Sequence, residues 1–409
     1  MRAPLIVTVA LLAAGAANAA GAPNAPLLHG LNAQKHAGRA DVRLVLHRPA
    51  TITATITRIV TPGRERTLRR MPGEPQRAGK VTVPLGPLPG GAWRVHLRAI
   101  ETDGRVSRYR VGLRVPTRLT IAASGDLLMH GSLIARSRQL GGGRHHNVVP
   151  MLAPIAPVIR AADAALCQTE TPIGGGAPQG YPIFRAPGSL ADAIRATGWD
   201  ICSTASNHTL DGGSAGIRAT LGALDRVGVR HTGAARSAAE ADRPVILDVG
   251  GVPVGFVAAT EHTNGIPRPH PWSVRPATAA AIRAQVARTR RAGARAVIVN
   301  VHWGEEYQHA PSAFQRSLAA ALVKIPGVTA VVGQHVHVVQ PIRYLGGVPV
   351  VYGEGNLLAG QFGNRQDGLI ALLRLEVPPA GTARVVRVDY VPTHVAWPEL
   401  TVRPVAAGD

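Results

Sequence analysis

The sequence predicts an α/β fold with a mostly parallel sheet, preceded by a small all-β domain. After Thr117, near-continuous apolar runs such as LTIAAS, AVIVNV and TAVVG alternate with helix-like segments of roughly 10–15 residues, which is typical of βαβ units. Residues 39–116 instead alternate apolar and polar residues at period two, with Pro/Gly turns between the runs. That pattern indicates a small β-sandwich.

The N-terminus predicts export. Met1 and Arg2 form a short basic region, residues 4–15 are apolar, and the Ala17-Asn18-Ala19 segment is typical of a cleavage site, so residues 1–19 read as a signal peptide. A membrane anchor is the alternative, but the apolar stretch is shorter than the roughly 20 residues of a spanning helix. Because no later run is long and apolar enough to span a bilayer, we expect a mature chain without a transmembrane segment, secreted or associated with the cell envelope.

The remaining boundaries follow from shifts in pattern. We expect a linker over residues 20–38, the β-sandwich over 39–116, the α/β domain over 117–395 and a C-terminal tail over 396–409. The sandwich resembles the immunoglobulin-like accessory domains of secreted enzymes, and its expected role is spacing or attachment. Helix-like patterns cover residues 149–162, 189–198, 214–228, 278–293 and 311–325, and a hairpin around Gly250-Gly251 predicts a mixed sheet with antiparallel edges.

The net charge is strongly positive. It is formally +21 and comes almost wholly from arginine, since Lys35, Lys80 and Lys324 are the only lysines. Such a chain attracts anionic polymers, among them wall or capsular polyacids, phospholipid head groups and nucleic acid, although a general bias toward Arg, Ala, Gly and Pro also accounts for the charge. The arginines are scattered without interleaved aromatic residues, so we expect no specific nucleic-acid surface.

The two cysteines leave two alternatives open. Cys167 and Cys202 lie at similar depths in two predicted strands, and an oxidising exterior permits a disulfide if those strands are neighbours. Free buried thiols are slightly favoured, because directly paired strand positions often give poor disulfide geometry. Neither cysteine belongs to a CxxC motif, so neither is expected to bind a metal.

Oxygen and imidazole side chains follow several of the predicted strands. Asp126, Glu170, Asn207 and His302 each come after an apolar run, at the strand end where α/β sheets bind ligands. Taken alone, Asp126 could equally well be the N-cap of a helix, and Glu170 could be a residue of a surface loop. Their shared placement predicts a hydrolytic metal site, because such sites use carboxylate and imidazole ligands.

Two further motifs extend this set. His335 and His337 would share one face if their segment were a strand, since alternate residues of a strand point the same way. His208 follows Asn207 and can act as a donor or general acid toward a bound substrate. Asp211 would either orient His208 or cap the next helix.

The motifs together resemble one bacterial family. GDLL (125–128), ETPI (170–173), SNHTLDGG (206–213), VHWGEEY (301–307), GQHVHVVQP (333–341) and YGEGNLL (352–358) are similar, in this order, to the CapA or PGA_cap family of capsule and poly-γ-glutamate synthesis proteins. The fold of that family resembles the calcineurin-like metallophosphoesterases. The resemblance covers residues 117–391 and implies a four-layer αββα sandwich with a two-metal centre.

The resemblance also implies roles for the matched residues. Asp126, Glu170 and His337 would hold one metal, Glu170, Asn207, His302 and His335 would hold the second, and His208 would protonate a leaving oxygen with Asp211 beside it. The chain departs from the phosphoesterase pattern at Leu128, where an imidazole is usual, and at Glu170, where the bridging residue is usually Asp. We therefore add His130 and Glu306 as candidate ligands. The donor set suits Mn, Fe or Zn without selecting among them.

Three functions remain open. The leading hypothesis is a metal-dependent hydrolase that acts on a phosphoester, γ-glutamyl or other acyl bond of an anionic cell-envelope polymer, with two divalent ions activating water and neutralising the developing charge. The alternative is a polymer assembly, export or binding factor without turnover. An extracellular phosphoesterase is the third.

Overall fold

The chain divides into two compact units, Met1–Arg118 with Pro378–Gly381 and Leu119–Val377 with Thr382–Asp409. The computed structural model describes residues 27–36, 39–61 and 64–405. The signal peptide expected at residues 1–19 lies outside the described residues, as does part of the expected linker. Among the described residues, none of the helices has the length and apolar character needed to cross a membrane.

The N-terminal unit is built from antiparallel strands. Its described strands are β1 (Leu28–His36), β2 (Arg39–Leu46), β3 (Ala50–Thr61), β4 (Arg64–Gln76), β5 (Gly79–Pro87), β6 (Gly91–Glu101) and β7 (Val106–Val115). They form one sheet in the order β1-β2-β5 and another in the order β4-β3-β6-β7. Val42 and Leu44 of the first sheet and Ile56, Val95 and Leu113 of the second are buried in one apolar core. The predicted all-β sandwich is confirmed.

Two strands of this unit differ from the sequence-based expectation. β1 lies in the segment expected to be a linker, and β4 follows the position where only a turn was expected. Neither strand has the regular apolar alternation on which the prediction relied; β4 is mostly exposed and contains Pro72 and Pro75. Backbone pairing with β2 and β3 places both strands, and this pairing leaves no period-two signal in the sequence.

The C-terminal unit is a mixed α/β structure. Its strands are β8 (Thr117–Leu128), β9 (Ala164–Thr169), β10 (Ile201–Ser203), β11 (Arg230–Thr232), β12 (Val245–Val249), β13 (Val252–Thr260), β14 (Ala296–His302), β15 (Val328–Gln334), β16 (Ile342–Leu345), β17 (Val348–Val351), β18 (Asn356–Ala359), β19 (Asp367–Val377), β20 (Arg384–Ala396) and β21 (Thr401–Pro404). Its α-helices are α1 (Gly131–Leu140), α2 (Val149–Leu152), α3 (Ala156–Arg160), α4 (Ser189–Thr197), α5 (Gly213–Arg226), α6 (Ala238–Asp242), α7 (Ala279–Arg291) and α8 (Ala313–Leu322).

The strands form two sheets. The larger has the order β11-β10-β9-β8-β19-β20-β21, with β18 also paired to β8, and the smaller has the order β12-β13-β14-β15-β17-β16. The central pairs β8–β9, β9–β10, β13–β14 and β14–β15 are parallel, whereas β12 and β16 pair antiparallel at the edges of the smaller sheet. The predicted mixed sheet with antiparallel edges is confirmed.

Helices cover the outer face of each sheet. Ile121 and Leu166 of the larger sheet share a buried core with Phe256, Ile298 and Val332 of the smaller one, so the two sheets pack face to face. A second core packs α1, α4 and α5 on the larger sheet, and a third packs α7 and α8 on the smaller. The layer order is helix, sheet, sheet, helix, which confirms the αββα arrangement.

Proline explains where one helix prediction was wrong. Residues 149–162 do not form a single helix but a series of short turns: α2, a 3₁₀ turn at Ala153–Ile155, and α3. Pro150, Pro154 and Pro157 each lack an N–H and restrict the residue before them. The segment expected to be a C-terminal tail also contains structure, because β21 pairs with β20.

The two cysteines form a disulfide. Cys167 of β9 and Cys202 of β10 are directly paired in parallel strands, and their Cα atoms are 4.4 Å apart. The slight preference for free thiols was therefore wrong, because this Cα separation lies within the range that a disulfide spans.

Candidate metal centre

Parallel strands bring the predicted ligands to one edge of the two sheets. Asp126 lies near the end of β8, Glu170 directly follows β9, and Asn207 follows β10 by four residues. His302 is the last residue of β14, and His335 directly follows β15. We call Asp126, Glu170, Asn207, His302, His335 and His337 the candidate metal centre.

The segment that carries His335 and His337 is not the strand we expected. β15 ends at Gln334, and both histidines have left-handed backbones, with φ of 92° and 60°. The N–H of His335 donates to Asp126 Oδ2 at 3.0 Å instead of to a neighbouring strand. The tight turn nevertheless brings both imidazoles to the centre.

Two of the resulting residue groups share Glu170. Asp126, Glu170 and His337 form one group, and Glu170, His302 and His335 form the other; within each group the potential ligand atoms lie within 4.8 Å of one another. Glu170 Oε1 is 3.8 Å from Nε2 of His302 and 3.8 Å from Nε2 of His337. One carboxylate therefore stands between two sets of donors.

Several buried atoms of this centre have no hydrogen-bond partner in the part of the chain that the structure describes. Asp126 Oδ1, both Oε atoms of Glu170, and Nδ1 of His302 and of His335 are buried without a hydrogen bond among the described residues. Burial raises the pKa of Asp126 and holds the pKa of Glu170 well above that of an ordinary carboxyl, since no Lys or Arg of the described chain pairs with either. A divalent cation satisfies such donors and keeps both carboxyls ionised, so the residues fit a metal site.

The histidines suit the same role. Burial, reinforced by the neighbouring imidazoles, lowers the pKa of His302 and of His335 well below the usual value, so both are held neutral. Neutral imidazole is the form that binds metals. Asn207 Oδ1 lies 2.8 Å from Nε2 of His302, which places an amide oxygen in the second group, as the resemblance implied.

His208 lies beside the centre and is held by Asp211. Its Nδ1 is 2.8 Å from Asp211 Oδ2, which also accepts the Phe184 N–H at 2.7 Å. The Phe184 ring packs edge-on against the imidazole, with 4.7 Å between the ring centroids. Asp211 therefore orients His208; the N-cap position of α5 is Gly212.

The two additional candidates differ from each other. Glu306 joins His335 and His337 in a third group, with Oε1 at 3.9 Å from His337 Nε2, although its side chain is 40% exposed. His130 joins none of the three groups found among the described residues. Its Nδ1 lies 3.1 Å from the Gly360 N–H, and its ring packs against Phe184.

The sequence matches a known family model over this region. Residues 120–361 match the model described as bacterial capsule synthesis protein PGA_cap, which is more than half of the chain. The chain belongs to this family. The expected resemblance is confirmed, and the match spans every residue of the candidate metal centre.

The chain is also similar to individual relatives and to a solved structure. A probable polyglutamine synthesis accessory protein of Mycobacterium tuberculosis is 30% identical over 260 residues, 58% of this chain and 67% of that protein. The capsule biosynthesis protein CapA of Bacillus anthracis is 30% identical over 211 residues. The match covers 50% of this chain and 49% of CapA, so the chain spans about half the length of that relative. The calcineurin-like phosphoesterase YfkN of Bacillus subtilis gives a TM-score of 0.43 at 16% identity, covering 68% of this chain and 90% of that one.

The sequence analysis missed two residues of the loop after β13. His262 Nε2 lies 3.1 Å from His335 Nε2, and Asn264 accepts a hydrogen bond from Asn207 Nδ2 at 3.2 Å. Asn264 Nδ2 is also 3.5 Å from Nδ1 of His208. Polar residues directly after a strand were the signal used for the other ligands, and it was present here as well.

Two residues of the YGEGNLL motif also support the centre. Asn356 Oδ1 lies 2.9 Å from His337 Nδ1 and holds that ring by the nitrogen that faces away from Glu170. Glu354 is fully buried and accepts a 2.6 Å hydrogen bond from Gln334 Nε2, and burial raises its pKa to about 8. The motif was quoted for the resemblance, but its Glu and Asn were given no role.

Proposed function

We propose that this member of the capsule synthesis family is a two-metal-dependent hydrolase that acts on an anionic cell-envelope polymer of the capsule or poly-γ-glutamate type. The observation that carries the proposal is the position of Glu170, whose carboxylate oxygens have no hydrogen-bond partner among the described residues and are shared by two groups of buried side chains. A structural core does not need such an arrangement, because unpaired buried carboxylates are costly.

Each group has a role in this proposal. Asp126, Glu170 and His337 would hold one divalent ion, and Glu170, Asn207, His302 and His335 would hold the other. When bound, such ions supply Lewis-acid activation of water and stabilise the charge that develops in hydrolysis. Mn, Fe and Zn all suit the mixed carboxylate and imidazole donors.

His208 would be the proton donor to the leaving oxygen. Asp211 holds its Nδ1, so that Nε2 is the nitrogen that exchanges a proton with substrate, and the side chain is 10% exposed. An acid on one imidazole nitrogen fixes the tautomer and supports the imidazolium form. The formal charge of +21 would draw a polyanion toward the protein.

The bond cleaved is a phosphoester or a γ-glutamyl bond in this proposal. The test is metal analysis of the purified chain, followed by turnover of phosphoesters, γ-glutamyl polymers and generic phosphomonoesters with added Mn, Fe or Zn. Turnover of an anionic polymer supports the proposal. Turnover of phosphomonoesters alone would make the protein an extracellular phosphoesterase. If the purified chain holds no metal and no supplement gives turnover, catalysis is refuted.

A second candidate is an assembly or export factor that binds polymer without turnover. It is favoured by the name of the mycobacterial relative, which is called an accessory protein. His335→Ala separates the two candidates, with the exposed His309→Ala as the matched control. For an enzyme, H335A loses polymer production or processing while polymer binding survives; for a scaffold, both variants keep function.

We also propose that the mature protein acts outside the cytoplasmic membrane. The support is the pattern of residues 1–19, together with the disulfide between Cys167 and Cys202, which suits an oxidising compartment. N-terminal sequencing of the exported protein tests it. A protein that stays in the cytoplasm with residues 1–19 attached would contradict it.

A further inference from the structure

A cavity lies at an edge of the C-terminal unit and contains none of the residues of the candidate metal centre. It has a volume of about 310 Å³ and is lined by parts of β11, α6 and β12. β11 is the terminal strand of the larger sheet and β12 that of the smaller. The volume reaches the roughly 300–1,000 Å³ that small-molecule sites occupy.

The charged groups that line this cavity are mostly cationic. They are Arg230, Arg236, Arg243 and Arg275 against Asp225 and Glu240, while burial lowers the pKa of His231, which also lines the cavity, below its usual value. Both acids are already engaged by Arg236, whose Nη1 donates to Asp225 at 2.7 Å and whose Nε donates to Glu240 at 3.0 Å. Four arginines against two acids leave a net formal charge of +2 on the lining, and Arg230, Arg243 and Arg275 are the arginines that do not pair with these two acids.

Arg275 is the group whose environment needs explanation. Its Nη2 donates to the Ala241 carbonyl at 2.8 Å, but its Nε is buried and has no hydrogen-bond partner among the described residues. Asp242, the acid that acts on it electrostatically, is paired with Arg288 at 3.1 Å. Burial, with a smaller contribution from Arg288, lowers the pKa of Arg275 to about 10.

A desolvated guanidinium is costly unless an anion pairs with it. Buried charges in proteins are nearly always paired and hydrogen-bonded, and an uncompensated one destabilises the fold. The buried Nε is closed to solvent, but Arg275 also lines the cavity, so an anion there can pair with the guanidinium through its remaining N–H groups. The planar guanidinium donates two parallel hydrogen bonds to a carboxylate or a phosphate.

We propose that this cavity binds a small molecule through an oxyanion, either a phosphate or a carboxylate. Arg275 is the donor at its wall, and the exposed Arg230 and Arg243 attract and hold the ligand at its mouth. The site is separate from the metal-binding groups, so the proposal stands whether or not the hydrolase proposal does.

The test is titration of the full chain, as purified, with inorganic phosphate and, separately, with L-glutamate, measured by calorimetry and by thermal unfolding. Arg275→Gln should weaken binding of the preferred anion by about tenfold or more, since it removes a charge-assisted hydrogen bond. Arg195→Gln removes the same charge from an exposed residue of α4, and this variant should bind the anion as the wild type does. Binding by phosphate alone or by glutamate alone identifies which oxyanion the cavity takes.

Two further variants complete the design. His335→Ala alters the candidate metal centre, so an anion that binds the cavity should still bind this variant with unchanged affinity. Arg243 lies on the exposed rim of the cavity, where a substitution does not disturb folding. Arg243→Gln should therefore weaken anion binding, as Arg275→Gln does. Without anion, Arg275→Gln should unfold at the same or a higher temperature than the wild type.

The proposal is overturned by either of two results. One is that neither phosphate nor glutamate binds or stabilises the wild type. The other is that Arg275→Gln and Arg243→Gln respond to both anions as the wild type does, while His335→Ala loses the response, because the anion would then bind at the metal centre.

Discussion

The two units of the chain treat buried acids differently. In the N-terminal sandwich, Glu101 is 7% exposed and accepts a 2.7 Å hydrogen bond from Arg48 Nε. The partly exposed Glu65 is also paired, with Arg94 and with His96 at 2.9 Å. Each of these acids has its counter-charge within the same unit.

The buried acids of the C-terminal unit have no such partner. Asp126 and Glu170 are fully buried, and the basic side chains that approach them among the described residues are imidazoles, while Asp126 Oδ2 also accepts the His335 N–H. Glu354 lies nearby, with a neutral amide as its hydrogen-bond partner. The difference teaches that the sandwich pairs its acids within the unit, whereas the buried acids of the α/β unit are left for the positive charge that our proposed metal ions would supply.

Glu170→Gln should have the largest effect on this contrast. Both groups share this carboxylate. Its loss should therefore lower metal affinity by more than the about 10–100-fold that typically follows the loss of a residue hydrogen-bonded to a metal ligand. Mass-spectrometric metal content and thermal unfolding with and without chelator measure it. Substitution of the exposed Glu305 by Gln is the matched control. A Glu170→Gln protein that keeps its metal would contradict the claim that the buried acids of the α/β unit serve to bind metal.

Glu354→Gln should change how stability depends on pH. The pKa of Glu354 is raised to about 8 in the folded protein, whereas the unfolded chain ionises near the ordinary value of 4.5. Between these values the folded state keeps a proton that the unfolded state releases, so wild-type stability falls as pH rises, by up to roughly 1.4 kcal/mol per unit. Urea unfolding across this range should show a flatter profile for Glu354→Gln, and parallel profiles would contradict the assignment.

Asn356→Ala should weaken metal binding by a smaller amount. Asn356 holds His337 through Nδ1, and loss of such a partner typically costs about 10–100-fold in metal affinity. Competition with a chelator measures the change. Asn356→Asp keeps an acceptor for His337 and should recover much of the affinity; unchanged affinity in the alanine variant would show that the ring needs no support.

Glu101→Gln should have the smallest effect. Its partner Arg48 is 42% exposed, so the pair is screened by water and contributes on the order of 1 kcal/mol or less. Denaturant unfolding measures the loss, which should be the same with and without added metal. A loss of several kcal/mol would show that the sandwich also depends on buried charge.

Much of the centre could be predicted because parallel strands end at the same edge of a sheet. That rule found Asp126, Glu170 and His302 from apolar runs followed by polar residues, and the structure brings them together. It applied equally to His262, which follows β13, but the EHTNG segment matched none of the motifs considered.

Other residues of the centre do not follow from strand alternation. His335 and His337 were predicted as ligands on that ground, but they reach the centre through a left-handed turn after β15. Asn356 and Glu354 act through contacts with residues distant in the sequence, and such contacts leave no local pattern. In the sandwich, β4 was missed for a similar reason, since its backbone pairing rather than an apolar face places it.

The measurement that tests the central claim most directly is anomalous X-ray diffraction from crystals of the native protein. We predict two peaks, one among Asp126, Glu170 and His337 and the other among Glu170, His302 and His335, with Glu170 touching both. Crystals grown with Mn, Fe or Zn that show no anomalous peak against Glu170 would contradict the account.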